Sequence, residues 1–239
     1  MNNLIQYPLP DWLSIAFLIA IPIPLIIIGL FLRKETLNTP YNKAFLKLIL
    51  FFVFYLSYIT IASFNGFFNQ VSFPPKVVLL CTLPFALILF LIFGNSKTYK
   101  FILEKVRLEN LVSLHIFRLI GVFFILLALF DSLPKTFAFI AGTGDILSAI
   151  GSIFVVKAIK DNKPYAKTLC KFWNIFGTLD ILFTIIAANV LTKLSINTGS
   201  MGVDTLGLFP YCIIPAFAPP MILFLHWSIY KKMNFSERN

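Results

Sequence analysis

The chain has 239 residues, of which 59% are hydrophobic and only 13% charged, and a formal net charge of +10. A soluble domain carries about 25% charged residues, so this composition excludes a water-soluble enzyme. The 28 Phe exclude disorder, and three Cys are too few for a disulfide scaffold.

A helix needs about 20 apolar residues to cross a bilayer core. Seven stretches meet or approach that length: Trp12–Leu32, Ala44–Phe68, Val77–Phe93, Leu111–Phe130, Phe137–Ile159, Phe172–Leu191 and Phe209–Tyr230. Lipid offers no partner for free backbone groups, and a barrel would need alternating polarity, so each is expected to be a helix. The fold class is therefore all-α: a single domain over residues 1–239 that forms an integral membrane bundle of seven transmembrane helices.

Span one opens after Met-Asn-Asn, without the basic segment of a cleaved signal, and is expected to stay in place. Pro22 and Pro24 are expected to bend it. Span three is the shortest and is interrupted by Pro84. In the stretch Lys97–Asn110, Tyr99, Ile102, Leu103 and Val106 fall on one helical face and Lys97, Lys100, Glu104 and Arg107 on the other. That pattern predicts one amphipathic surface helix between helices three and four. Residues 131–136 form a tight turn between spans four and five. Residues 192–208, with Asn197, Gly199, Ser200, Gly202 and Asp204, read either as a flexible connection or as a lid over an outward-facing cavity. Span seven carries Pro210, Pro215, Pro219 and Pro220 and is expected to be kinked or broken, with freed carbonyls.

Basic residues orient the bundle. Arg33, Lys34, Lys43 and Lys47 follow span one, and Lys97, Lys100, Lys105 and Arg107 follow span three. Lys157, Lys160, Lys163, Lys167 and Lys171 follow span five, and Lys231, Lys232 and Arg238 follow span seven. The other loops hold only Lys76, Lys135 and Lys193. The positive-inside rule then puts the N-terminus outside and the C-terminus in the cytoplasm, in a bacterial inner (cytoplasmic) membrane. The lysines are expected to meet anionic headgroups; there is no basic domain to hold a nucleic acid.

Ionisable groups inside a span cost about 2.5–3.5 kcal/mol each on the insertion scale, so each calls for a partner or a role. Arg118 in span four lies about 10 Å from the basic end, and Asp180 in span six about 12 Å, at ~1.5 Å per residue. Arg118 is expected either to pair with Asp180 or to bind an anionic ligand. Asp145 in span five has no obvious cationic partner, and desolvation favours the neutral form of such a carboxyl. It reads as a quiet hydrogen-bonder or as a proton relay, among Gly142, Gly144, Ser148, Gly151 and Ser152. His115 and Arg118 share a face, and His226 is expected at the depth of His115. Two histidines at one depth could hold a b-type haem, but without a nearby carboxylate or Cys they make a poor zinc site, so no metal site is assigned. Trp173 reads as an interface anchor and Asn174 as a cap or as part of a polar strip with Gly177, Asp180 and Thr184. Gly142-Thr-Gly-Asp145-Ile-Leu147 is echoed by Gly177-Thr-Leu-Asp180-Ile-Leu182, on helices running in opposite directions. Inverted repeats of this kind build transporter sites.

Several families are excluded by missing residues. Span seven has no Lys for a retinal Schiff base, and two His are too few for ceramidase-like zinc hydrolases. Gly142-Thr-Gly-Asp145 resembles the G-x-G-D motif of presenilin-type aspartyl proteases, with Pro215-Ala216-Phe217 a loose echo of their P-A-L motif. In that family the second aspartate precedes; here Asp180 follows. Phe117-Arg118-x-x-Gly121, Gly142-x-Gly144-Asp145, Trp173-Asn174-x-x-Gly177-x-x-Asp180 and Pro219-Pro220 followed by His226 resemble uncharacterised small bacterial multi-pass membrane proteins. That resemblance implies no known activity.

The sequence thus predicts a polar intramembrane pocket in helices four to seven, built from Arg118, Asp145, Asn174, Asp180, His226 and His115. The function it favours is a small-molecule transporter, proton-coupled through Asp145. The alternatives are an intramembrane enzyme or haem- or metal-binding protein, and a non-catalytic sensor or receptor-like protein. The expected partners are the lipid bilayer and a small-molecule ligand. No catalytic residue, cofactor or oligomeric state is specified by any motif.

Overall fold

The computed structural model describes residues 9–235; the Met-Asn-Asn start and Arg238, used above for topology, lie outside them. The chain is all-helical, with 81% helix and no strand among the described residues. Seven helices are long and apolar enough to cross a membrane: α1 (Asp11–Thr36), α2 (Ala44–Phe64), α3 (Val78–Asn95), α4 (Leu108–Leu129), α5 (Lys135–Lys160), α6 (Ala166–Thr198) and α7 (Ile213–Asn234). Each helix overlaps one expected apolar stretch; α2 starts at the expected Ala44, but most of the other ends differ. α6 starts six residues before the expected Phe172 and runs to Gly199, whose left-handed backbone (φ 69°) closes it with an N–H to Ser195 C=O bond. α2 stops at Phe64, leaving residues 65–75 outside any helix.

α4 and α7 are the inner helices, each 61% buried over its most apolar window, whereas α2 at 11% is peripheral. α4 changes its winding where it carries the charge. Leu108–Ser113 and Val122–Leu129 are α-helical, but Leu114–Gly121 is 3₁₀. Runs of 3₁₀ helix rarely exceed three or four residues, and in them side chains at i and i+3 eclipse one another. His115, Arg118 and Gly121 therefore stand in one file, and all three are buried.

The prolines behave differently from one another. Ile21, before Pro22, keeps helical angles (φ −56°, ψ −41°) and joins the two halves of α1. Pro84 does not end α3; π-helical turns at Val78–Thr82 and Ile88–Ile92 flank it. Pro210 precedes α7, and Pro219 and Pro220 lie inside it. Those two prolines cannot donate to the carbonyls four residues back, Pro215 and Ala216. Hydroxyls from neighbouring helices replace the missing donors: Thr82 Oγ1 donates to Pro215 C=O at 2.7 Å and Tyr55 Oη to Ala216 C=O at 2.9 Å. The freed carbonyls are thus spent on packing α2 and α3 against α7. Tyr55→Phe leaves the Ala216 carbonyl unpaired and is expected to cost about 1–3 kcal/mol in unfolding of the purified protein. Pro220→Ala restores the backbone donor, and in that background Tyr55→Phe is expected to cost little.

The connector predicted as an amphipathic helix is shorter than expected. It spans Lys97–Lys105, with Ser96 Oγ accepting from Tyr99 N at 3.1 Å, and Val106 is already extended. Its apolar face is covered by α7. Tyr99 stacks on Trp227 and hydrogen-bonds Ser228 at 3.0 Å, and Lys232 Nζ donates to the last carbonyls, Leu103 and Glu104.

Candidate functional site

Arg118 is the centre of the bundle. Its side chain is completely buried, and all three of its nitrogens are engaged. Nε donates to Asp145 Oδ1 of α5 at 2.7 Å, and one terminal nitrogen donates to Asp180 Oδ2 of α6 at 2.5 Å. The other donates to Gly177 C=O at 3.3 Å and lies 3.2 Å from His226 Nε2 of α7. A guanidinium has donors only, so His226 Nε2 must be an acceptor and the ring proton sits on Nδ1. Nδ1 then donates to Asn174 Oδ1 at 2.8 Å, and Asn174 Nδ2 donates back to the His226 carbonyl at 3.3 Å. One arginine thus ties four helices together.

This corrects two readings of the sequence. Asp145 has a cationic partner, Arg118, which it shares with Asp180. Asn174 and Trp173 do not cap or anchor the start of α6, because the helix begins eight and seven residues earlier at Ala166. Asn174 orients His226, and buried Trp173 donates through Nε1 to Ser148 C=O at 2.8 Å. The echoed Gly-Thr-x-Asp segments of α5 and α6 meet at the same guanidinium.

Glycines make room for this convergence. A Cβ at Gly121 would overlap Asp145 Cβ, and one at Gly144 would overlap Asp180 Oδ1. One at Gly177 would lie 2.6 Å from the His226 ring and 2.9 Å from the Arg118 guanidinium. Small residues at helix interfaces let backbones approach; here they let charged side chains reach across.

His115 lies at the depth of His226, as expected, with ring centroids 4.2 Å apart, and it makes a T-shaped contact with Trp173 at 5.0 Å between centroids. The two imidazoles touch each other, so no gap for a porphyrin separates them, and both nitrogens of His226 are already engaged. His115 Nδ1 and Nε2 and Ser148 Oγ are buried with no hydrogen-bond partner. Among the described residues no three His, Cys, Asp or Glu are grouped to hold a metal.

Two cavities bear on the site, and neither is a large hollow around Arg118. A cavity of about 40 Å³ adjoins Arg118 and Asp145, walled by Phe17, Leu56, Phe117, Ile214 and Phe217. That is room for water but not for an organic ligand. A cavity of about 700 Å³ lies at the end of the bundle away from the lysine clusters. Asn69, Gln70, Lys76, Asp131, Asn189 and Asp204 contribute its polar lining, and Ala188 and Pro215 line it deeper down. Residues 201–208 form one wall, and residues 68–78 form another that the sequence did not single out. Ala188 stands eight residues beyond Asp180 on α6, about 12 Å along the helix. The first turns of α7 separate the two spaces: Pro215 lines the large one, Ile214 and Phe217 the small one.

A family model described as a domain of unknown function (DUF8737) matches residues 74–233, two thirds of the chain. The match takes in α3 to α7 and thus every residue of the Arg118 cluster. No curated protein and no solved structure matches the chain.

Proposed function

The chain belongs to the DUF8737 family, and from the geometry of its buried charges we propose that it is a proton-coupled transporter of a small molecule, a multi-pass protein of a bacterial inner membrane. Seven helices of spanning length support the membrane reading, as do apolar side chains such as Phe54, Phe64, Phe172 and Ile186 standing out from the bundle. The lysine clusters support an N-terminus outside and a cytoplasmic C-terminus. The 700 Å³ cavity then opens outward, and the Lys97–Lys105 helix lies at the cytoplasmic headgroup level.

The observation that carries the reading is one guanidinium holding two carboxylates in a water-poor interior. With both acids ionised, the cluster bears one uncompensated negative charge, and such a charge costs several kcal/mol in effective desolvation. A proton shared between Asp145 and Asp180 removes that cost. A proton that must be present when the site is closed, and can leave when it opens, is a coupling ion. The substrate occupies the larger cavity, and the proline-rich start of α7 acts as the gate between substrate and proton. The enzyme reading is less well supported, because each acid is turned to Arg118 and the adjoining space admits only water.

The test uses proteoliposomes containing a trapped pH-sensitive dye, to which small molecules are added in turn. The expected result is substrate-dependent proton movement with the wild type and none above background with Asp145→Asn. Wild-type proton movement with Asp145→Asn would overturn the proposal.

A further inference from the structure

We infer that the 700 Å³ cavity binds a small organic ammonium compound through Asp204; this names the substrate class for the transport reading and rests on it. Asp204 opens the short 3₁₀ turn Asp204–Gly207 and faces the cavity. Its carboxylate is half-buried and has no cation within salt-bridge distance among the described residues. Burial raises its carboxyl above the ordinary range, and no neighbouring positive charge offsets that.

The other charged residues near the cavity already have contacts, though only one of these is an ion pair. Asp131 is held by Lys135 at 3.1 Å, and Lys76 donates to Gln70 Oε1 at 2.6 Å. Lys193 lies over the ring of Phe73, with Nζ 5.7 Å from its centroid. Deeper in, Arg118 has no nitrogen left for a ligand, and the cluster around it has one more acid than base. Among the charged residues that line the cavity, Asp204 is therefore the one without a hydrogen-bond or ion-pair partner. An anionic or a neutral ligand would leave the Asp204 carboxylate without a partner in the filled cavity. An ammonium group satisfies Asp204, while the side-chain carbonyls of Asn69 and Asn189 offer further acceptors. Phe68, Val71, Val77, Met201 and Leu206 form an apolar wall for its carbon skeleton. The volume lies within the range of sites for small organic ligands.

The test uses the full-length protein in nanodiscs and three probes of one shape: phenethylamine, 2-phenylethanol and phenylacetate. Calorimetry is expected to give an affinity for the amine at least about tenfold above the alcohol and the acid, the margin of one charged hydrogen bond. Asp204→Asn is expected to remove that margin and Asp204→Glu to keep most of it. Equal or tighter binding of phenylacetate or phenylethanol would overturn the inference, as would an amine affinity unchanged in Asp204→Asn. Phenethylamine uptake in proteoliposomes is scored separately. Asp204-dependent binding without any proton-linked uptake upholds the site and defeats the transport reading.

Discussion

Gly144→Ala is expected to destabilise the native bundle strongly, although it adds a single methyl group to a helix. The added carbon would occupy the position of Asp180 Oδ1. Asp180 could yield only by leaving Arg118, to which it is bound at 2.5 Å, or by pushing α6 away from α5. The first response breaks a buried ion pair, at about 3–5 kcal/mol, and the second overpacks a close helix interface, at about 1–3 kcal/mol. Either is a large share of the 5–15 kcal/mol that typically separates folded from unfolded states. Alanine is the better helix former, so local propensity predicts the opposite sign. Thermal unfolding and gel filtration of the purified variant would measure the loss. Ile150→Ala, on an exposed face of the same helix, is expected to stay near the wild type.

The second large effect is expected from Arg118→Met. The substitution keeps an unbranched, apolar side chain in the 3₁₀ segment but leaves Asp145 and Asp180 facing each other without a cation, and takes the donor from the Gly177 carbonyl and from His226. Two unpaired acids and an unpaired His226 Nε2 in a dry interior exceed what packing can offset, so a loss of at least about 3–5 kcal/mol is expected. Arg118→Lys is not a conservative alternative. An ammonium group is a point donor, and it cannot reproduce the separate directions of Nε and the two terminal nitrogens.

Much of this cluster was legible in the sequence through depth. Counting residues along spans put Arg118 level with Asp180 and His115 level with His226, because rise per residue is nearly fixed whatever the helix packs against. Asp145 was misread because a pairwise search stops once Arg118 has one carboxylate, whereas the guanidinium fork serves two. Asn174 was misread because hydropathy marks where apolar residues begin, not where hydrogen bonding begins; α6 starts two turns earlier among lysines. The 3₁₀ winding of Leu114–Gly121 left no sequence signal, since it reflects the fit of α4 between α5 and α7. Tyr55 and Thr82 went unnoticed as partners of the α7 carbonyls because hydroxyls carry no charge to explain. The 700 Å³ cavity was only half visible. Residues 192–208 were read as a connection or a lid, whereas residues 69–76 opposite were left between spans two and three without a role, because nothing in their composition points to a cavity.

The account stands on the three charges forming one unit, with Arg118 serving both acids at once. The most direct measurement is a stability cycle on purified protein: Arg118→Met alone, Asp145→Asn with Asp180→Asn, and all three substitutions together. If the charges act as one unit, the triple variant recovers most of the stability that Arg118→Met loses, because amides leave no charge to neutralise. If the losses simply add, so that the triple variant is less stable than either parent, the acids do not depend on Arg118 and the shared-cluster account is contradicted.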